Sequence, residues 1–272
     1  MCIRDRLKNY CSSIGAVDFY LRFNLMVYYF FLGCWALLGL TAFFYLIRQP
    51  APYGKHIKYS KYSVGARTGW IVMESPAFYL MIIFFLLYGD SANLIHVVLT
   101  FLYCLHYFNR SFVWPLRAQN NSKKMPVNVM ASAFSFNLIN VFFQGTWIYV
   151  LVDYSNEWIL SFYFAIGIII FFIGMAVNVI ADEIMISLKK KNNGQYSIPN
   201  GFLYSKVSCP NYLGEFLEWF GWALMTMNLA GFVFFFWTLA NLLPRAISNH
   251  KWLQTNFEEY PKERKAVIPG II

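Results

Sequence analysis

The sequence predicts an all-α integral membrane protein, a bundle of seven transmembrane helices, and three observations lead there. Hydrophobic residues make up 58% of the 272-residue chain and charged residues 13%, about half the charged share of a soluble domain. Apolar runs long enough to cross a bilayer recur along the chain. The basic residues fall almost entirely in alternate intervals between those runs. A mean hydropathy of +0.46 agrees with all three.

A spanning helix needs about 20 mostly apolar residues. Runs of that kind lie near 26–47, 70–88, 92–116, 127–152 and 158–181. A last apolar stretch, 212–248, is too long for one span and divides near Asn228 into two. Residues 1–25 are polar and mixed, show no signal-peptide cleavage pattern, and form a segment without an assigned role. Residues 26–272 form one membrane domain. With seven spans, the loops 48–69, 117–126 and 182–211 share a side with the C-terminal tail. Counting Arg110 at its helix end, that side carries 18 of the 22 basic residues. The other four (Arg4, Arg6, Lys8, Arg22) precede the first span. The excess of Lys and Arg places the long loops and the C-terminus in the cytoplasm, in a bacterial inner membrane or an endoplasmic reticulum membrane.

The same distribution excludes the plainest reading of the +9 formal charge, a nucleic-acid surface. Five cysteines (Cys2, Cys11, Cys34, Cys104, Cys209) form no CxxC pair, so neither a disulfide framework nor a zinc site is expected. The four histidines are dispersed, and no metal is expected. There is no GxGxxG, GxxxxGK[ST], HExxH or GxSxG element. A cofactor would have to bind between helices.

Ionisable groups within a bilayer are costly and mark function or mutual pairing. Glu74 lies one turn into the second span. His106, Tyr107 and Arg110 lie in the last part of the third, Asn178 and Asp182 near the end of the fifth. Asn211, Glu215 and Glu218 open the sixth, and Arg245 and Asn249 close the seventh. Asn178/Asp182, Asn211/Glu215 and Arg245/Asn249 are each spaced i, i+4 and so share a helix face. Five helices thus bring polar groups to one depth near the cytoplasmic surface. The pattern predicts a polar cavity suited to a nucleotide, roofed by apolar surface suited to a lipid-like substrate. The alternative is that these groups only join helix to helix.

The motifs resemble those of steroid 5α-reductases. Asn211-Tyr-Leu-Gly-Glu215-Phe-Leu-Glu218-Trp219 is similar to N-[FY]-L-G-E-x-x-E-W, and Phe257-Glu-Glu-Tyr260-Pro261-Lys262-Glu-Arg264-Lys265-Ala-Val-Ile-Pro269 to FEDYPKSRKALIPF. His106-Tyr107-Phe108-Asn109-Arg110 resembles HYFHR, Met73-Glu74-Ser-Pro76-Ala-Phe78 resembles QELPAF, and Pro52-Tyr53-Gly54 resembles PYG. Gly174-Met175-Ala-Val-Asn178-Val-Ile-Ala-Asp182, Tyr196-Ser-Ile-Pro199 and Asn140-Val-Phe-Phe-Gln144-Gly145 resemble GMGINIHSD, YRIP and NGxxQG. The departures are Met73, Asn109, Ser197 and Asn249, where the family patterns carry Gln, His, Arg and His.

The resemblance implies an NADPH-dependent reductase acting on the double bond conjugated to the ketone of 3-oxo-Δ4 steroids. It implies that Glu74 and Tyr107 polarise the carbonyl. It implies that Arg110, Asn178, Asp182, Lys189, Tyr196, Asn211, Glu215, Glu218, Arg245 and Asn249 hold the cofactor. On charge grounds, Arg110, Arg245, Lys189 and Arg117 suit phosphates. The acids suit ribose hydroxyls, the nicotinamide amide or the ordering of arginines. The expected partners are a steroid or sterol-like substrate and membrane lipid, with no nucleic acid and no obligate protein partner. Other substrates within the reductase reading are a sterol, a polyprenol or an enoyl lipid. Other classes are an isoprenylcysteine-type methyltransferase and a non-enzymatic transporter, the last lacking any internal inverted repeat.

Overall fold

The computed structural model describes residues 14–49, 60–118 and 123–272, with side chains from Asn24 onward. The Pro52-Tyr53-Gly54 element lies outside the described residues. Seven long helices make up the described chain. They are α1 (Ile14–Arg48), α2 (Ala66–Tyr88), α3 (Leu94–Phe108, prolonged by a π-turn Asn109–Val113 and a last turn Trp114–Arg117), α4 (Val127–Thr146, prolonged by a π-turn Trp147–Leu151), α5 (Phe162–Lys191), α6 (Pro210–Thr226) and α7 (Leu229–Asn256). Five of them, α1, α2, α4, α5 and α7, are long and apolar enough to cross a membrane. The other two are α3 and α6. Their regular α-helical stretches are shorter, 15 and 17 residues.

The chain break expected near Asn228 has a local cause. Met227 ends α6 in the left-handed conformation at φ 41°. Asn228 then caps α7, its Oδ1 accepting a bond from the Gly231 N–H at 2.6 Å, which satisfies one of the four donors a helix start leaves open. Elsewhere helices overrun the apolar runs. α1 begins at Ile14 rather than near 26, because no Gly or Pro interrupts residues 16–25. α5 continues to Lys191 rather than 181, since residues 181–191 hold no Gly or Pro and most of them (Ala, Glu, Met, Leu, Lys) favour a helix whatever their polarity.

α6 is the central helix, with buried residues on every face. It meets α5 backbone to backbone. Gly167 and Gly174 on α5 face Gly221 and Gly214 on α6, and a Cβ at Gly221 would sit 2.5 Å from the Gly167 carbonyl. A Cβ at Gly214 would sit 2.5 Å from the Asn178 N. Small residues are what permit such approach between membrane helices, and this approach sets Asn178 and Asp182 against Asn211 and Glu215. Gly221→Val is therefore expected to lower the melting midpoint in detergent by about 5–10 °C, the scale of a 1–3 kcal/mol overpacking cost. The same substitution at Gly33, which has open space around it, is expected to shift it little.

A short antiparallel ribbon, β1 (Ser63–Gly65) with β2 (Lys124–Pro126), ties the start of α2 to the start of α4. The C-terminal tail folds back on the start of α6. Lys265 pairs with Val207, and the N–H groups of Ser208 and Cys209 donate to the carbonyls of Lys265 and Ala266 at 2.9 and 3.0 Å. Arg264, buried, donates to the Pro199 carbonyl and to Asn200 Oδ1 at 2.9 and 2.6 Å. Ser208 Oγ lies 2.5 Å from the Tyr260 hydroxyl and 2.6 Å from His250 Nδ1. Burial raises the Tyr260 phenol above its ordinary range, with the Ser208 hydrogen bond opposing. The hydroxyl therefore stays neutral and holds the tail in place.

Candidate active site

Two chambers open at the end of the bundle that carries the tail. The larger, of about 670 Å³, is bounded by Glu74, Tyr107, Arg110, Glu215 and a mostly apolar wall that includes Phe136, Trp219, Phe234 and Trp237. The smaller, of about 200 Å³, is bounded by Lys123, Lys124, Lys189, Arg245, Tyr196, Asn211 and Asn249. They share Trp70, Arg110 and Leu242.

Arg110 stands at that shared wall because of a backbone irregularity. Pro115 has no N–H to give, and its ring crowds the carbonyl one turn back. The helix widens there into the π-turn, closed by the Trp114 N–H donating to the Asn109 carbonyl. Such single wide turns re-aim side chains and recur at functional sites. Arg110 then lies 4.7 Å over the Trp70 ring and 5.3 Å over Trp114. Its guanidinium faces Glu74 at 4.0 Å, Asp182 at 3.9 Å and Glu215 at 3.7 Å. One cation thus gathers a carboxylate from each of three helices. Arg67, the other cation near Glu74 in sequence, caps the end of α3 by donating to the Pro115 and Leu116 carbonyls.

Glu74 and Tyr107 face the same chamber but do not touch. Between them lies Asn137 of α4, buried. Its Nδ2 donates to Glu74 Oε2 at 3.1 Å and to the Met73 carbonyl at 2.7 Å, while the Tyr107 hydroxyl donates to its Oδ1 at 3.5 Å. Tyr107 is held by ring packing on Tyr103, His106 and Trp219 at 4.7, 5.0 and 5.8 Å. His106 Nδ1 lies 2.8 Å from Glu218 Oε1, with Glu218 fully buried behind it.

The remaining positions singled out in the sequence sort into two layers. Asp182, Lys189, Tyr196, Asn211, Arg245 and Asn249 border the smaller chamber directly. Asn178 and Glu218 border neither. Asn178 donates to the Asn211 carbonyl and to Glu215 Oε1 at 3.1 and 3.4 Å, and so fixes the residues that do. Asn211 Nδ2 donates to Asp182 Oδ1 at 3.1 Å, and Arg245 Nε to the Tyr212 hydroxyl at 2.7 Å. Lys189 sits 5.6 Å over the Tyr196 ring while Lys190 and Lys191 are exposed, so within that basic run only Lys189 turns inward. Arg117 pairs with Glu183 on the surface.

Sequence reading missed Asn137 and Lys123. Lys123 reaches the smaller chamber because the β-ribbon draws it in, and its Nζ donates to the Tyr196 hydroxyl at 3.3 Å. For Asn137 there was a signal: Asn137, Asn140 and Gln144 form a polar stripe at helical spacing on an otherwise apolar span. All three are buried.

A family model described as 3-oxo-5-alpha-steroid 4-dehydrogenase matches residues 123–272. Steroid 5-alpha-reductase DET2 of Solanum lycopersicum is 41% identical over 252 residues, covering 91% of this chain and 96% of that protein. The chain belongs to the steroid 5α-reductase family. Steroid 5-alpha-reductase DET2 of Arabidopsis thaliana is 42% identical over 229 residues (81% of this chain, 87% of that protein). The human protein named 3-oxo-5-alpha-steroid 4-dehydrogenase 2 is 34% identical over 247 residues (88% and 95%). The family supplies the chemical class, an oxidoreductase, and this member is a multi-pass helical membrane protein.

Proposed function

We propose that the protein reduces the C4–C5 double bond of 3-oxo-Δ4 steroids with NADPH, residues 26–272 forming the reductase domain and the C-terminus facing the cytoplasm. The observation that carries this reading is the pairing of the chambers. A basic one and a largely apolar one meet at Arg110, with Tyr107 and Glu74 on the apolar side.

The donor set fits a dinucleotide phosphate. Arg110, Lys123, Lys124, Lys189 and Arg245 supply cations for phosphate oxygens, and Tyr196 offers a ring face. Asn211, Asn249 and Asp182 suit ribose and amide groups. Bound NADPH would supply the hydride. The chain's own work lies at the ketone. An enone accepts hydride at its β-carbon only as charge develops on the carbonyl oxygen, and a hydrogen-bond donor aimed at that oxygen stabilises it there. Tyr107 is that donor, kept dry by Tyr103 and Trp219. Glu74 holds the polar end of the chamber in register, and the aromatic wall takes the apolar body of the substrate.

The test is oxidation of NADPH by purified protein against a panel of 3-oxo-Δ4 steroids, with the configuration at C5 of the product determined. Consumption with a 5α product is expected. NADPH at about 100 times its Kd is expected to add about 2.7 kcal/mol of stability, read as a raised melting midpoint. Protection by S-adenosylmethionine instead, with no steroid-dependent oxidation, would replace this reading with a methyltransferase. Oxidation with a sterol, polyprenol or enoyl lipid alone would move the substrate and leave the chemistry.

A further inference from the structure

We infer that Asn137 is a positioning residue of the reductive site, one that gives the Tyr107 hydroxyl an acceptor beside the chamber and fixes which Glu74 oxygen faces Arg110. The inference rests on the reductase reading above.

The amide's orientation is settled by its neighbours. A carboxamide has two donors on nitrogen and an acceptor on oxygen. The Met73 carbonyl, 2.7 Å away, can only accept, so nitrogen must face it and the amide cannot turn over. The second N–H then points at Glu74 Oε2, 3.1 Å away. Oxygen is left facing Tyr107, 3.5 Å away, as an acceptor within reach of the Tyr107 hydroxyl. Two consequences follow. Glu74 Oε2 is held against Asn137 by the second N–H, which leaves Oε1 turned toward Arg110, 4.0 Å from its Nε. Tyr107, held as a donor by a long bond, can swing that donor to a substrate oxygen at little cost, since what it gives up is weak. A direct Tyr107–Glu74 hydrogen bond would spend the same donor on the carboxylate.

At 3.5 Å from Asn137 Oδ1 the hydroxyl is aimed at the amide but only weakly held by it. The Met73 carbonyl it depends on belongs to the turn before Pro76, which lacks the N–H that the Val72 carbonyl would otherwise receive. The other charged or titratable groups around this triangle are Arg110, His106 and Tyr103 of α3, Asp182 of α5, and Glu215 and Glu218 of α6.

Asn137→Leu removes both functions and Asn137→Asp keeps the shape while replacing two donors by acceptors. Each is measured for steroid kcat and KM, for NADPH affinity and for its pH profile, beside Tyr107→Phe and Glu74→Gln. Asn137→Leu is expected to lose about 10–100-fold in kcat, with KM and NADPH affinity within about threefold. Asn137→Asp is expected to be as slow near neutral pH and to recover as the pH falls, because a proton shared between the Asp and Glu74 restores one donor. A purely structural link between α2 and α4 would lower stability without that recovery. Asn137→Leu and Asn137→Asp turning over within about twofold of the parent with an unshifted pH profile would overturn the inference. If Tyr107→Phe and Glu74→Gln were also unaffected, the reductive reading itself would fall. If those two alone collapsed, only the role given to Asn137 would.

Discussion

Tyr107→Phe is expected to lower kcat for enone reduction by about 100–1000-fold, the usual consequence of removing one donor from a developing oxyanion. The substitution deletes a single oxygen from a ring whose packing on Tyr103, His106 and Trp219 remains available. KM and the melting midpoint should therefore move little, and kcat and kcat/KM should fall together, the mark of an interaction made in the transition state. Glu74→Gln is expected to cost less, about tenfold, because a Gln oxygen can still accept the Asn137 N–H while its charge opposite Arg110 is gone. The measurement is steady-state NADPH oxidation with a 3-oxo-Δ4 steroid in detergent. Tyr107→Phe at more than about a third of the parent kcat would show that the hydroxyl is packing and not chemistry.

The bundle was legible in the sequence because a bilayer imposes a length and a polarity rule on every helix that crosses it. Seven spans, the division at Asn228 and the gathering of Glu74, Arg110, Asp182 and Glu215 at one end all follow from where apolar runs stop and ionisable residues begin. The extents of helices were less legible. Hydropathy reports where a helix meets water, not where its hydrogen bonds end, so α5 runs on to Lys191. Two devices depended on three-dimensional detail. Pro115 looks like the end of a helix in sequence, yet the structure absorbs it in a wide turn that turns Arg110 inward. Lys123 sits in a polar loop and arrives at the site through strand pairing. Asn137 was readable as a polar residue in an apolar span, but its partners were not. Met73 and Glu74 lie 63 or more positions away on another helix, and periodicity within α4 says nothing about what it faces.

Arg110 is the position whose loss should do the most damage, because it answers three carboxylates at once. Glu74, Asp182 and Glu215 come from α2, α5 and α6 and converge within 4.0 Å of its guanidinium. Arg110→Met leaves like charges facing one another in a largely buried site, where repulsion is poorly screened and each unpaired carboxylate is costly. Two effects are expected, and they separate. Stability should fall, read as a lower melting midpoint, and activity should drop by more than about 100-fold. Neutralising a carboxylate in the same chain, as Arg110→Met with Glu215→Gln, should recover most of the lost stability by relieving the repulsion. It should not recover turnover, since the cation between the two chambers is still missing. Arg110→Lys keeps the charge but not the planar fork that can face several oxygens and stack on Trp70 and Trp114. It should fall between, stable but slowed by about tenfold or more. Recovery of activity in the double variant would reduce Arg110 to a counter-ion. Recovery of stability alone keeps it as the residue through which the basic and apolar chambers act together.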